Sequence, residues 1–221
     1  QIKDTVKKSV AEIMSTARYL ALLDMLQSFA EAAARYDYCQ PTLRVEPGLF
    51  LKESRHPVVE RLLKGASFVP NDAELNHGNQ ELIILTGPNM AGKSTYMRQI
   101  ALIALMAQAG SFVPAKVAEI APLDRIFTRI GASDDVATSQ SSVMVKWNEV
   151  AHILQHGTEN SLILLDEVGR GTSTFDGMSI ARSVAEYIHQ KISAFTLFAT
   201  HYHELTELGD SLPRGANYSV A

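Results

Sequence analysis

With a single cysteine, Cys39, among its 221 residues, the chain cannot close an internal disulfide, and a reducing compartment is the easier reading. Cys39 itself reads as a small packing residue. An excess of positive charge is also lacking. The 20 Lys and Arg against 24 Asp and Glu leave a formal net charge of -4, so there is no general electrostatic footprint for nucleic acid or an anionic membrane. A locally basic patch in another part of a longer protein is compatible with that balance. No basic segment leads into an apolar run at the start, which argues against a signal peptide. The longest apolar stretch, residues 100–109, is too short for a bilayer and contains Gln108. These absences point to a soluble, cytoplasmic chain with no membrane partner. What is present is ample core material: 46% of the residues are hydrophobic, enough for one domain plus an appendage.

Residues 4–35 contain neither Pro nor Gly. Val6, Val10, Ile13, Met14, Ala17, Leu20 and Ala21 recur at helical spacing, which predicts one long helix or two in line. Its apolar stripe needs a partner, part of which is expected outside this chain, and the chain is expected to be a piece of a longer protein. Pro41, Pro47 and Gly48 end the pattern. A short strand over 49–52, a helical stretch over 58–63 and a loop through Gly65, Pro70-Asn71-Asp72 and Gly78-Asn79 follow. From Glu81 the texture changes. Leu82-Ile83-Ile84-Leu85 is a continuous apolar run of the kind that forms a strand buried on both faces, Leu162–Leu165 is a second such strand and Phe195–Ala199 a third. Helical patterns over 93–109, 141–156, 176–190 and 202–208 alternate with them, and further strands are expected at 117–120, 125–129 and 216–220. The expected fold is α/β, a largely parallel sheet flanked by helices and preceded by a helical segment.

Gly87-Pro88-Asn89-Met90-Ala91-Gly92-Lys93-Ser94 has the spacing of a phosphate-binding loop, with an apolar strand before it and a helix after. Small residues let the backbone curl so that its N–H groups converge on phosphate oxygens, and the helix N-terminus adds its positive end. Lys93 is expected to reach the β and γ phosphates of ATP, Ser94 to place its hydroxyl on Mg²⁺, and Asn89 to lie near the γ phosphate. Thr95 either contacts phosphate or caps the helix.

Asp166-Glu167 ends the strand 162–165, where open α/β sheets bind ligands. Asp166 would hold Mg²⁺, directly or through water, and Glu167 would act as general base on the attacking water. Gly169-Arg170-Gly171-Thr172-Ser173-Thr174 reads as a loop that contacts nucleotide or a second subunit, or as a plain surface loop, with Asp176 capping the next helix. His201 follows the strand 195–199 and could sense the γ phosphate or orient water. His203 reads as a surface residue or as one that supports the site from behind. A zinc cluster of His201, His203 and Glu204 is disfavoured, since they follow a strand rather than share a helix face.

Together these motifs resemble the C-terminal ATPase part of the MutS family of DNA mismatch-repair proteins. The most specific stretches run from Gly87 to Gln99, from Asp166 to Gly177 and from Phe198 to Tyr202, and the likeness extends from about Ala30 onward. The resemblance implies an ABC-type ATPase over residues 41–221, truncated at its C-terminal end, and a helical segment 1–40 from the end of the lever and core region. It implies two domains sandwiching two nucleotides, so that a second copy completes each site. Lys93, Ser94, Asp166 and Glu167 take the roles argued above, and His201 matches the switch histidine. Residues 169–174 match the loop that crosses between subunits, and Phe68 matches an aromatic that packs on adenine, its plain alternative being a loop residue tucked into the core. Implied partners are mismatched double-stranded DNA, bound through domains outside this sequence, and a MutL-like repair protein, with a bacterial, nucleoid-associated location.

The family's signature loop, which reaches the partner's γ phosphate, corresponds to residues 134–142. It keeps Ser141 but carries Ser139 for Gly, Gln140 for Arg and Ser142 for Thr, with Lys146 for Glu beyond it. A divergent paralogue acting in recombination control, weakened coupling between subunits, or simple tolerance of that loop would each account for the changes. A small-molecule kinase and a degenerate nucleotide-binding scaffold are the competing functions. The first lacks any signal for an acceptor pocket, and intact Lys93, Asp166 and Glu167 argue against the second.

Overall fold

A computed structural model of the chain describes residues 2–63, 65, 67–88, 91–131, 142–170 and 172–220. The Pro- and Gly-free start forms two helices, α1 (Ile2–Lys8) and α2 (Val10–Tyr36), with the break at Ser9. None of the residues of α2 is buried. The helix ends where Asp37 turns left-handed at φ 53° and its N–H caps the Ala33 carbonyl.

Two sheets follow. One has four short strands in the order β1 (Thr42–Leu43), β5 (Val117–Ile120), β2 (Gly48–Ser54) and β3 (Asn71–Asn76). Strand β2 runs antiparallel to both its neighbours, while β1 and β5 are parallel. Strand β3 corrects the loop expected there. Its Pro70-Asn71-Asp72 start looks like a turn, yet Ala73 and Leu75 point inward while Asp72 and Glu74 are exposed, the period-2 pattern of a strand covered on one face. Short helix α3 (Val59–Leu62) lies between β2 and β3 in sequence.

The other sheet has five strands, all parallel, in the order β6 (Arg125–Arg129), β7 (Ser161–Asp166), β8 (Phe195–Ala199), β4 (Leu82–Thr86) and β9 (Gly215–Ser219). Both faces are covered, which explains the unbroken apolar runs. Ile83, Leu85, Leu162, Leu164 and Leu197 face a core shared with helix α4 (Lys93–Gln108) and the four-stranded sheet. Leu82, Ile84, Ile163, Leu165 and Phe198 face a second core with helices α5 (Ser142–His156), α6 (Thr174–Tyr187) and α7 (Thr206–Ser211).

Helix α6 starts earlier than its sequence pattern implied and ends in a π-helical turn, Ile188–Ile192. Its N-cap is Ser173, not Asp176. The Ser173 hydroxyl accepts from the Asp176 N–H and donates to the Asp176 carboxylate. Asp176 thus serves from inside the first turn as the acceptor that holds the capping hydroxyl. The short helix expected at 202–208 is a 3₁₀ turn, His203–Leu205, running into α7. At the amino ends of the strands, buried Glu81 accepts from Arg214 at 2.8 Å and faces His77 and His189, fastening β9 to β4. The opposite, carboxyl ends of β4, β7 and β8 carry the site.

Candidate functional site

Because β4, β7 and β8 are parallel neighbours, Thr86, Asp166 and Ala199 end on one edge, and the turns that follow them converge there. After β4 the chain curls through Gly87 and Pro88 to Gly92, the N-cap of α4, at φ 102°. A Cβ at Gly92 would have free space around it, so the demand for glycine is purely conformational. The loop delivers the N-terminus of a buried helix to the sheet edge, where its unpaired N–H groups and positive dipole end favour an anion. Lys93 lies buried in the first turn and folds back, its Nζ donating to the carbonyls of Gly87 at 2.7 Å and Pro88 at 3.0 Å. Ala91 and Thr95 are half-buried beside it. Asn89 and Met90, expected in this loop, lie outside the described residues.

Ser94 and Asp166, 72 positions apart in sequence, meet here. The Ser94 Oγ donates to Asp166 Oδ2 at 2.6 Å. A hydroxyl and a carboxylate side by side are hard oxygen donors of the kind Mg²⁺ takes through one or two side chains, so the donor set fits that ion. Glu167 follows in a left-handed conformation, φ 54°, which costs a non-glycine residue roughly 1–3 kcal/mol and must be held by its surroundings. Its N–H donates to the Ala199 carbonyl of β8 at 3.1 Å, and its carboxylate accepts from Arg170. Arg129, Trp147, Val150 and Val168 line a small cleft next to these two side chains.

The turn after β8 is tied to β4 and closed on itself. The Thr200 N–H donates to the Leu85 carbonyl at 3.1 Å and its hydroxyl accepts from the Tyr202 N–H at 3.0 Å. His201 is exposed at this edge, its ring 4.2 Å from that of Tyr202, and His203 is exposed as well. Phe68 is half-buried in the segment before β3. Ser141 and the rest of residues 132–141, together with Gly171, lie outside the described residues. Among the described residues no three His, Cys, Asp or Glu side chains gather into a metal cluster.

The edge therefore joins a helix N-terminus with a buried lysine, a Ser–Asp pair and a strained glutamate. A family model for MutS domain V matches residues 83–221, a span that includes this whole edge. The chain belongs to the MutS domain V family. Its relatives include the DNA mismatch repair proteins MutS of Symbiobacterium thermophilum, 56% identical over 221 residues, and of Acetivibrio thermocellus, 54% identical over 220 residues. That of Ruminiclostridium cellulolyticum is 56% identical over 222 residues. Each match covers all of this chain and 25% of the relative, so the chain spans about a quarter of the length of these relatives.

Two features of this MutS domain V site were not legible beforehand. One is the contact of Arg170 with Glu167, three residues apart on a turn whose conformation no local pattern encodes. The other is Tyr202, which reads as one more aromatic after a strand but is buried, with its hydroxyl donating to the Gly169 carbonyl at 3.3 Å. Among the described residues no helix is long and apolar enough to cross a membrane.

Proposed function

We propose that the chain binds and hydrolyses ATP, and that its nucleotide state drives conformational change in a mismatched-DNA clamp during mismatch repair. The observation that carries this reading is the 2.6 Å pairing of Ser94 with Asp166 at the N-terminus of α4, beside Lys93 and Glu167. The backbone N–H groups of the loop 87–92, Pro88 excepted, cradle the phosphates, with Asn89 near the γ phosphate and Thr95 at the loop's end. Lys93 exchanges its carbonyl partners for β and γ oxygens. Ser94 and Asp166 hold Mg²⁺, which when bound neutralises charge on the phosphates. Glu167 orients a water and accepts its proton as the water oxygen attacks the γ phosphorus and the bridging oxygen departs with ADP. His201 contacts the γ phosphate or that water, and Phe68 packs on adenine.

A second copy supplies Ser141 across the interface, and residues 169–174 form the crossing loop. Residues 1–40 are the end of the lever and core region, and residues 41–221 form the ATPase domain. Mismatched DNA and a MutL-like protein are partners of the complete protein, in the bacterial cytoplasm at the nucleoid. The identity of the full-matching relatives as mismatch-repair proteins supports this assignment. The test is phosphate release from ATP by the complete protein, with no added acceptor. Glu167→Gln is expected to lower kcat by at least about a hundredfold, the scale of a lost general base. Unchanged release in that variant would overturn the base assignment.

A further inference from the structure

The turn that presents Glu167 has two left-handed residues, Glu167 at φ 54° and Gly169 at φ 89°. Backbone of this kind keeps its shape only when both ends are held. One end is fastened by the Glu167 N–H on the Ala199 carbonyl at 3.1 Å. The other end is fastened by a side chain, since Tyr202 Oη donates to the Gly169 carbonyl at 3.3 Å. Both holds come from the β8 strand and the turn carrying Thr200 and His201. Tyr202 is itself fixed, because it is buried as part of the core that packs helices on this face of the sheet and its N–H donates to Thr200 Oγ1.

Space around this contact is closed from the third side by Gly177, in the first turn of α6. A Cβ there would come 2.3 Å from the Gly169 carbonyl oxygen and 2.5 Å from the Tyr202 hydroxyl. Alanine is otherwise the better helix former at such a position, so glycine is explained by the approach of these two oxygens.

We propose that the Tyr202 hydroxyl, seated against Gly177, is a positioning residue that sets the Glu167–Gly169 turn relative to His201. Tyr202 touches neither substrate nor metal. It acts by holding the glutamate's turn and the histidine's turn in one geometry, so that a water aligned by one group is also aligned by the other. The inference rests on the ATP-hydrolysis reading above. A buried tyrosine hydroxyl that only satisfies its own hydrogen bond would instead contribute stability and nothing to turnover.

The experiment measures steady-state ATP hydrolysis, equilibrium ATP binding without turnover, and thermal unfolding of the complete protein for wild type, Tyr202→Phe and Gly177→Ala. Tyr202→Phe keeps the buried ring and removes only the hydroxyl. It is expected to lower kcat about tenfold, the size of one ordinary hydrogen bond's loss from a transition state, with KM and ATP affinity changed less than about twofold. Gly177→Ala, which displaces both oxygens, is expected to lower kcat further while leaving ATP binding in place. Unchanged kcat in Tyr202→Phe overturns the proposal whatever Gly177→Ala does, as does a fall in kcat that only tracks lost ATP binding or an unfolded protein. If wild type releases phosphate and Glu167→Gln does not, such a result condemns the Tyr202 inference alone. If wild type itself releases none, the proposed function fails and the inference falls with it.

Discussion

Helices α2 and α4 are both built from Ala, Leu, Ile and Met at helical spacing, yet α4 buries nine of its 16 residues and α2, with 27, buries none. Helix α4 lies between two sheets and carries the candidate phosphate loop at its start. Helix α2 projects Leu20, Leu22, Leu23 and Leu26 at 50% exposure or more. Local propensity is enough to make either helix plausible, but tertiary packing supplies most of the stability of a helix in a folded protein. Under the proposed function, the difference also separates chemistry from leverage. A side chain that must meet a ligand within a few tenths of an ångström sits on the packed helix, while the open helix is attached to the body near one end.

That contrast is sharpest under truncation. Ile100→Ala in α4 removes a fully buried side chain and is expected to cost about 2–5 kcal/mol, read from the midpoint of urea unfolding. Leu22→Ala in α2 is expected to stay within about 0.5 kcal/mol in this chain. A markedly larger cost for Leu22→Ala in the complete protein than in this chain would show that the stripe is covered there.

A smaller effect is expected at the joint between the two regions. Arg55 donates to the Tyr36 and Asp37 carbonyls at the end of α2 and pairs with Glu60 at 2.7 Å. Arg55→Ala is expected to cost about 1.5–3 kcal/mol, the range for charged hydrogen bonds, and to remove hydrogen-exchange protection from the last turn of α2 while sparing α4. Equal loss in both helices would break the comparison.

The same joint titrates. Burial, and then the Glu60 carboxylate, push the Tyr38 phenol from 10.0 up to about 12. The folded state therefore keeps a proton that the unfolded chain gives up. Stability from this group is full below pH 10.0 and is lost as pH rises toward about 12. Phenolate absorbance and helix content at the α2 joint are expected to change together across that window, and Tyr38→Phe should remove this group's share of the dependence while Tyr96 and Tyr218, also raised, keep theirs.

Much of the site was legible because its chemistry is local. The phosphate loop needs consecutive small residues before a Lys-Ser pair, and an acid at the end of a buried strand needs only an apolar run before it. The buried strands β4, β7 and β8 announce themselves by apolar residues on both faces, with polar ones confined to Thr196 and the strand ends. Strand β3 was hidden because its entry, Pro70-Asn71-Asp72, has turn chemistry while its exposed face is acidic. The N-cap of α6 was misread because Ser173 and Asp176 are both good capping residues, and only the backbone at Ser173, φ -59° and ψ 149°, decides between them.

The amino-acid sequence by itself determined which residues are candidates for binding phosphate and a divalent ion, and that a two-faced parallel sheet would carry them, because periodicity and motif spacing are properties of neighbouring residues. Only the tertiary structure decided that Ser94 meets Asp166 across 72 positions, that Tyr202 braces Gly169 across 33, and that α4 is enclosed while α2 stands open. Those outcomes depend on strand order and on how closely two backbones approach, and contacts between distant segments leave no periodic trace in either one.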